Sequence, residues 1–308
     1  MTLSIWCAAG AALFLPVLLA AAAAPGPVTL NPTERAAVLA AIQKDRTETE
    51  QWLKGDITSY LATIDRRDFE QRTTLTVGRA PGNDVRVDDE AFTAHHLRIT
   101  VAGDEFRVDA VDPSAHFTSG GKELRTATVK PSAISVGRFQ LRLSHQRYPA
   151  IIVFDPKSPH FAEFKGLTYF APDLAFRYEL ALTPNPTPET ITILSTRGNR
   201  RQATRVGWFD FAVQGTVVRL EAVRLLEPGV GENDLGIFFR DLTTGHESYA
   251  LGRYVDAKPL GNGRFLLDFN SAYNPACAFS DHYNCPIPPR ANTLPVAIRA
   301  GEMDAHYH

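Results

Sequence analysis

The spacing of polar and apolar positions changes twice along the chain. From Met1 to Ala24 there is no alternation: no charged residue occurs before Glu34, and Leu13, Phe14, Leu15, Val17, Leu18 and Leu19 form an apolar run that passes into the alanine stretch Ala20–Ala24. An apolar run, then small residues, then Pro25-Gly26-Pro27, is the order of a secretory signal peptide (1–24) with an Ala-x-Ala cleavage site near Ala24. The alternative is an uncleaved N-terminal anchor, since the run is about long enough to span a bilayer, although Pro16 and the alanines weaken a spanning helix. Either way the expected location of the remainder is outside the cytoplasm, periplasmic or extracellular, with no further membrane span.

From Asn31 to Asp68 the spacing is loosely helical. Pro32 and Thr33-Glu34 mark a helix start. Leu39, Ile42, Trp52, Leu53, Tyr60, Leu61 and Ile64 supply the apolar positions, broken near Gly55-Asp56, which predicts two helices. From Phe69 onward the period is two. Short β-rich runs such as Leu97–Val101, Glu105–Val111, Ser135–Leu143, Trp208–Val213 and Thr216–Leu226 recur about every ten residues between Gly, Pro, Asn and Asp. Such a series predicts antiparallel sandwiches or barrels rather than a parallel α/β sheet. The expected division is a helical lead-in over 25–68, a β-sandwich over 69–148 and a second antiparallel β-sandwich or barrel domain over 149–308.

Composition narrows the function classes. The 308 residues are 44% hydrophobic and 21% charged, with 32 basic and 34 acidic side chains and a net charge of -2. These are globular proportions, not those of a disordered chain. The near-neutral balance argues against nucleic-acid binding by bulk charge. With Cys7 inside the leader, Cys277 and Cys285 remain as a pair, read as a disulfide in an oxidising compartment and worth about 2.5 kcal/mol. A metal site with Asp281 and His282 is the other reading of this segment, but the spacing fits no standard zinc pattern. No metal or cofactor is expected: the chain has no phosphate-binding Gly-rich loop, dinucleotide fingerprint, nucleophile elbow or His-Glu-x-x-His helix.

Residues Leu75–Val87 read Leu-Thr-Val-Gly-Arg-Ala-Pro-Gly-Asn-Asp-Val-Arg-Val, and Thr-Ala-His-His-Leu-Arg-Ile follows from Thr93. This resembles the forkhead-associated domain over about seventy residues, closing with Ile134-Ser135-Val136-Gly137. The resemblance implies a sandwich that binds phosphothreonine peptides through loops at one end. Arg79 would contact the phosphate, Thr93 would donate a hydroxyl hydrogen bond, and His96 would brace the loop. The turn reads Ser119-Gly120-Gly121, without that family's peptide-holding Asn. The alternative is a shared sandwich in which these residues serve turns and packing.

The densest polar sequence lies further on. Gly236–Tyr254 reads as a hairpin turning at Asp241–Gly245, with Arg240 facing Glu247 across a four-residue loop. Asp268 and Asn270 alternate on one strand and so share a face. The Gly252–Tyr254 strand, the Asp-Phe-Asn…Tyr-Asn-Pro segment (Asp268–Pro275), the Cys-Pro-x-Pro-Pro loop (Cys285–Pro289), the closing Ala-Gly-Glu (Ala300–Glu302) and the upstream Phe164–Phe170 segment resemble a bacterial family known as domain of unknown function 1684. That resemblance implies no activity. From residue types alone, Glu247, Arg253, Tyr254, Asp268, Asn270, Tyr273 and Asn274 could converge on a small polar molecule, or on a protein partner. A hydrolase would use Asp268 or Glu247 as general base with Arg253 as anion stabiliser. A scaffold with no small-molecule site would use the same residues as caps and pairs.

Overall fold

A computed structural model describes residues 24–304 apart from Arg147 and Pro228. The leader and its cleavage site, Cys7, and the terminal His306 and His308 therefore lie outside or at the edge of the described residues. Among the described residues no helix is long and apolar enough to cross a membrane.

The lead-in forms one helix, α1 (Pro32–Gly55), instead of two. Its start is sealed by a capping box: Glu34 N–H donates to Asn31 Oδ1 at 2.9 Å, and Asn31 N–H donates to Glu34 Oε2 at 2.8 Å. Pro32 occupies the first turn, where its missing N–H costs nothing. The helix ends at Gly55, and the chain then turns through Tyr60–Ala62 into a strand, Thr63–Asp68. The second expected helix is absent because Thr-Ile-Asp-Arg-Arg-Asp finds a ladder partner: it pairs antiparallel with Tyr148–Phe154. A β-branched pair followed by charges suits such an outer strand, with one face buried and the other wet.

Two sheets enclose the first core. One runs in the order Thr63–Asp68, Tyr148–Phe154, Phe139–Gln146, Ser132–Val136, Phe117–Ser119, Lys122–Leu124, and the other Val85–Arg86, Thr74–Gly78, Leu97–Ala102, Glu105–Ala110, Thr126–Val129. All pairs are antiparallel except Thr74–Gly78 with Val85–Arg86. Alternate residues face inward, so Leu75 and Val77 of one sheet meet Leu141, Ile151 and Val153 of the other around Phe92, Phe106 and Phe139.

A second core follows the same rule. A five-stranded sheet (Thr183–Leu194, Arg200–Val213, Thr216–Leu225, Gly236–Phe239, Arg253–Asp256) packs on a three-stranded one (Arg177–Ala181, Arg264–Asp268, Lys258–Gly261). Phe209, Phe211 and Val213 alternate inward against Tyr178, Phe265, Leu267 and Phe269. The protein is thus mainly β, with antiparallel sandwich packing and one N-terminal helix. The tail from Arg290 to Met303 has little regular structure and lies over the end of this second core, with Leu294, Ile298 and Ala300 buried in it.

Candidate functional site

The predicted residues do not gather in one place. Asp268 ends its strand and caps the turn Phe269–Ser271: its Oδ1 accepts from Asn270 N–H at 3.0 Å and from Asn270 Nδ2 at 2.9 Å. Asn270 therefore sits on that turn and not on the strand, though it still meets Asp268. The other Asp268 oxygen is taken by Arg177 on the neighbouring strand. The carboxylate is 6% exposed with both oxygens bonded, which is the geometry of a brace. Glu247 faces Arg299, which grips it with Nε and Nη2 at 2.9 and 2.8 Å and holds its carboxyl below the ordinary value. It does not face Arg240, whose Nε donates to Leu251 O. The hairpin ladder runs between Gly236–Phe239 and Arg253–Asp256, and the long loop between them folds on itself.

Arg253 is 1% exposed and ties down the tail. It donates to the carbonyls of Ile298 (2.7 Å), Ala300 (2.5 Å) and Glu302 (3.1 Å), and its Nη2 lies 3.3 Å from the buried Asp241. Phe170 and Phe239 cover it, at 5.5 and 5.4 Å from ring centroid to guanidinium. Tyr254 is buried against Phe238 and Tyr273, and its hydroxyl donates to Pro286 O.

Cys277 and Cys285 are free thiols in this structure, in place of the expected disulfide. They remain neighbours, with Cys277 N–H donating to Cys285 Sγ at 3.2 Å. The hydrogen bond between the two thiols, with burial, raises the Cys285 pKa, and the same bond lowers that of Cys277. Among the described residues no group of His, Cys, Asp and Glu is arranged to hold a metal. In the first sandwich Arg79, Thr93 and His96 lie on neighbouring loops. Arg79 N–H donates to Thr93 O at 2.9 Å, and His96 Nδ1 accepts from Thr93 N–H at 3.1 Å while its Nε2 meets His116 O.

Three of the predicted residues, Asn270, Tyr273 and Asn274, do share a site, with partners the sequence reading did not name. They line a cavity of about 230 Å³ beneath α1, together with Asp45, Arg46, Trp52, Tyr60, Tyr169, Phe279 and Glu302. The polar end is built by two segments. Thr168–Phe170 pairs with the tail through Phe170 N–H to Gly301 O (3.0 Å) and Met303 N–H to Thr168 O (2.8 Å). Glu302 N–H is held by Ala272 O at 2.8 Å. Gly301 has φ of +81°, and a Cβ there would strike the carbonyls of Phe269 and Ala272, so only glycine lets the tail turn this closely.

That turn sends the Glu302 side chain into the cavity. Burial pushes its carboxyl up to about 7, against the pull of Asn274 N–H, which donates to Oε2 at 2.7 Å. Arg46 reaches the same cavity from α1, its guanidinium carbon 4.4 Å from the Tyr169 ring centroid. It is 8% exposed, yet its Nε and Nη2 have no hydrogen-bond partner. Burial lowers its pKa, opposed by the charges of Asp45 and Glu302. Asn274 Oδ1 is unpartnered too. Of seven buried, unpartnered side-chain polar atoms among the described residues, three therefore belong to this cavity. Aromatic rings complete the lining: Trp52 meets Tyr60 edge-on at 4.9 Å, and Tyr60 stacks on Phe279 at 5.7 Å.

The cavity is bounded by segments that the closing Ala-Gly-Glu and the Phe164–Phe170 motif supply. Residues 162–303 match the family described as Protein of unknown function (DUF1684). The DUF1684 region provides Tyr169, Asn270, Tyr273, Asn274 and Glu302, whereas Asp45, Arg46 and Trp52 precede it in the chain. An uncharacterized protein of Haloarcula marismortui, solved in solution, is 37% identical to the chain, over 50% of this chain and 85% of its own, with a TM-score of 0.40. Mycobacterium tuberculosis EmbR, solved in complex with a low-affinity phosphopeptide, is 13% identical over 41% of this chain and 32% of its own, with a TM-score of 0.22. No curated protein matches the chain.

Sequence reasoning missed Arg46, Tyr169 and Glu302 as site residues. For two of them a signal existed: Tyr169 and Glu302 stand inside motifs already singled out. Arg46 also left a trace, because it falls in phase with Ile42 and Leu53, the other buried positions of α1. An arginine on the apolar stripe of a helix either has a partner across the interface or faces a cavity.

Proposed function

We propose that the protein is an exported ligand-binding module whose ligand, a small polar organic molecule, occupies the cavity beneath α1. The observation that carries this is the Arg46 guanidinium, buried in the cavity wall with two nitrogens, Nε and Nη2, unpaired. Leaving a buried donor unpaired costs about 1–3 kcal/mol. A purely structural arginine is relieved of most of that cost by carbonyls and carboxylates, as Arg253 is at Nη1 and Nη2, with its Nε alone unpaired. Convergent polar groups beside aromatic walls are the ordinary make-up of a small-molecule site.

The test is a thermal-shift screen of a metabolite library against the wild-type chain and Arg46→Met. Binders should raise the Tm of the wild type and leave that of the variant unmoved. A library that moves neither protein, or both alike, removes the reading. Export rests on the leader of 1–24, and N-terminal sequencing of secreted material should begin at Pro25. In that oxidising setting the neighbouring thiols of Cys277 and Cys285 would close, giving an intact mass two hydrogens lighter before reduction.

Hydrolysis is the second reading, and Glu302 favours it. A carboxyl held near 7 can give and take a proton at neutral pH. Glu302→Gln would then abolish turnover while ligand binding survives.

A further inference from the structure

We propose that the group Arg46 receives is a carboxylate on a molecule built around one six-membered ring, so that the cavity takes a small cyclic organic acid. This rests on the ligand-binding reading above and names the chemistry of the ligand. The molecule itself supplies the precedent. Arg138 Nε and Nη2 take the two oxygens of Asp155 at 2.9 and 3.1 Å. Arg219 grips Asp210 by the same edge at 2.6 and 2.9 Å, and so does Arg299 with Glu247. In Arg46 those same two atoms, Nε and Nη2, are the ones without a partner. They form the fork that matches a planar carboxylate. The Tyr169 ring packs against the guanidinium, whose carbon lies 4.4 Å from the ring centroid.

The protein's own carboxyls do not fill that edge. Glu302 is engaged by Asn274 N–H at 2.7 Å, and among the described residues no carboxylate bonds to Nε or Nη2 of Arg46. A phosphate ester would bring two negative charges into a cavity that already holds Asp45, Asp256 and Glu302; a carboxylate brings one. Trp52, Tyr60 and Phe279 present rings to the remainder of the ligand, and a volume of about 230 Å³ admits one ring and its substituents. The Nε/Nη2 edge is closed to solvent, so entry requires α1 to shift. That helix is poorly anchored, with Ile42, Arg46 and Leu53 its only buried side chains among 24 residues.

Binding should also take up or keep a proton. Glu302 faces two cations, Arg46 and Arg253, and one anion, Asp45, with the phenols of Tyr169 and Tyr273 neutral and Asp256 and Lys258 also lining the cavity. A ligand carboxylate beside Glu302 is tolerated while Glu302 is protonated and opposed once it ionises. Above pH 7 the affinity should fall, by at most about tenfold per pH unit.

The experiment is titration calorimetry of the mature chain with benzoate, cyclohexanecarboxylate and glucuronate. Benzamide and glucose serve as neutral counterparts, and phenyl phosphate as the rival anion. At least one acid should bind at least about tenfold more tightly than its neutral counterpart, which is the scale of one charge-assisted pair. Preference for benzoate or cyclohexanecarboxylate identifies an apolar ring, and preference for glucuronate a sugar acid; both support the proposal. Arg46→Met should abolish binding, and Arg46→Lys should weaken it at least about tenfold by losing the fork. Glu302→Gln should bind with a flat profile from pH 6 to 9. A neutral probe that binds equally well, with Arg46→Met unaffected, overturns the acid assignment and leaves the ligand-binding reading standing. Tighter binding of phenyl phosphate overturns it in favour of a phosphate ester. No binding by any of the acids overturns it outright, while the library screen still judges whether the cavity binds anything. A folded Arg46→Met, verified by its Tm, keeps the result free of misfolding.

Discussion

Tyr169 and Phe170 are consecutive residues on one extended segment, and each lies under an arginine: Arg46 over Tyr169, Arg253 over Phe170. Successive side chains of an extended chain point to opposite sides, so the two arginines occupy opposite faces of the same short segment. They share a neighbour as well. Arg253 holds the Glu302 carbonyl at 3.1 Å, while the Glu302 side chain lines the same cavity as Arg46. Arg253 bonds three carbonyls, approaches Asp241 and leaves only Nε bare; Arg46 leaves both Nε and Nη2 bare. Burial alone therefore does not set the role. A buried cation whose donors are used holds the fold together, and one whose donors are spare is held ready by the fold.

That contrast sets the expected effects. The largest is at the brace. Arg253→Met removes the donors of three tail carbonyls and the buried cation beside Asp241, which keeps its hydrogen bonds from Thr243, Thr244 and Ile298, so urea unfolding should show a loss of about 3–5 kcal/mol. A loss below 1 kcal/mol would mean the tail is held by its apolar contacts alone. Next comes Glu302→Gln. Glu302 is raised in the folded state from 4.5 to about 7. The native form therefore binds more protons than the unfolded chain between those values, and its stability falls as pH rises through that window and levels off above it. Gln does not ionise, so the variant should gain about 3 kcal/mol over wild type at pH 8 and little at pH 5. Equal gains at both pH values would show that Glu302 is not the group responsible.

Arg46→Met comes third and has the opposite sign to Arg253→Met. Removing two unpaired buried donors should leave stability unchanged or raise it by about 1 kcal/mol. A loss of more than 2 kcal/mol would make Arg46 a second brace and erase the distinction. The smallest effect belongs to Glu247→Gln, because the Glu247–Arg299 pair sits at the surface and such pairs contribute little. Its denaturation midpoint should not move measurably.

Part of this was legible in the chain. Period-two alternation at Phe209, Phe211 and Val213 announced the sheets, and Pro32 with Thr33-Glu34 announced the start of α1. The charged strand Thr63–Asp68 was not legible, because it is stabilised by pairing with Tyr148–Phe154, more than eighty positions away. Asp268 and Asn270 were correctly seen as neighbours but on the wrong element, since Asp268 closes the strand by capping the turn that carries Asn270. Glu247 and Arg253 looked like site residues because sequence shows which groups are charged and not which are already paired.

By itself the sequence determined the mainly β architecture, the helical lead-in and the segments where polar residues concentrate. These follow from local periodicity and from which residues tolerate turns. Only the tertiary structure decided which polar groups are satisfied. Arg46 lies near one end of the described chain and Glu302 near the other. Whether a buried donor finds an acceptor depends on distances of a few ångströms between segments that no local pattern relates. Folding brings α1 over the Tyr169 segment and the Gly301 turn, and that closure converts residues unremarkable in sequence into the polar end of a cavity.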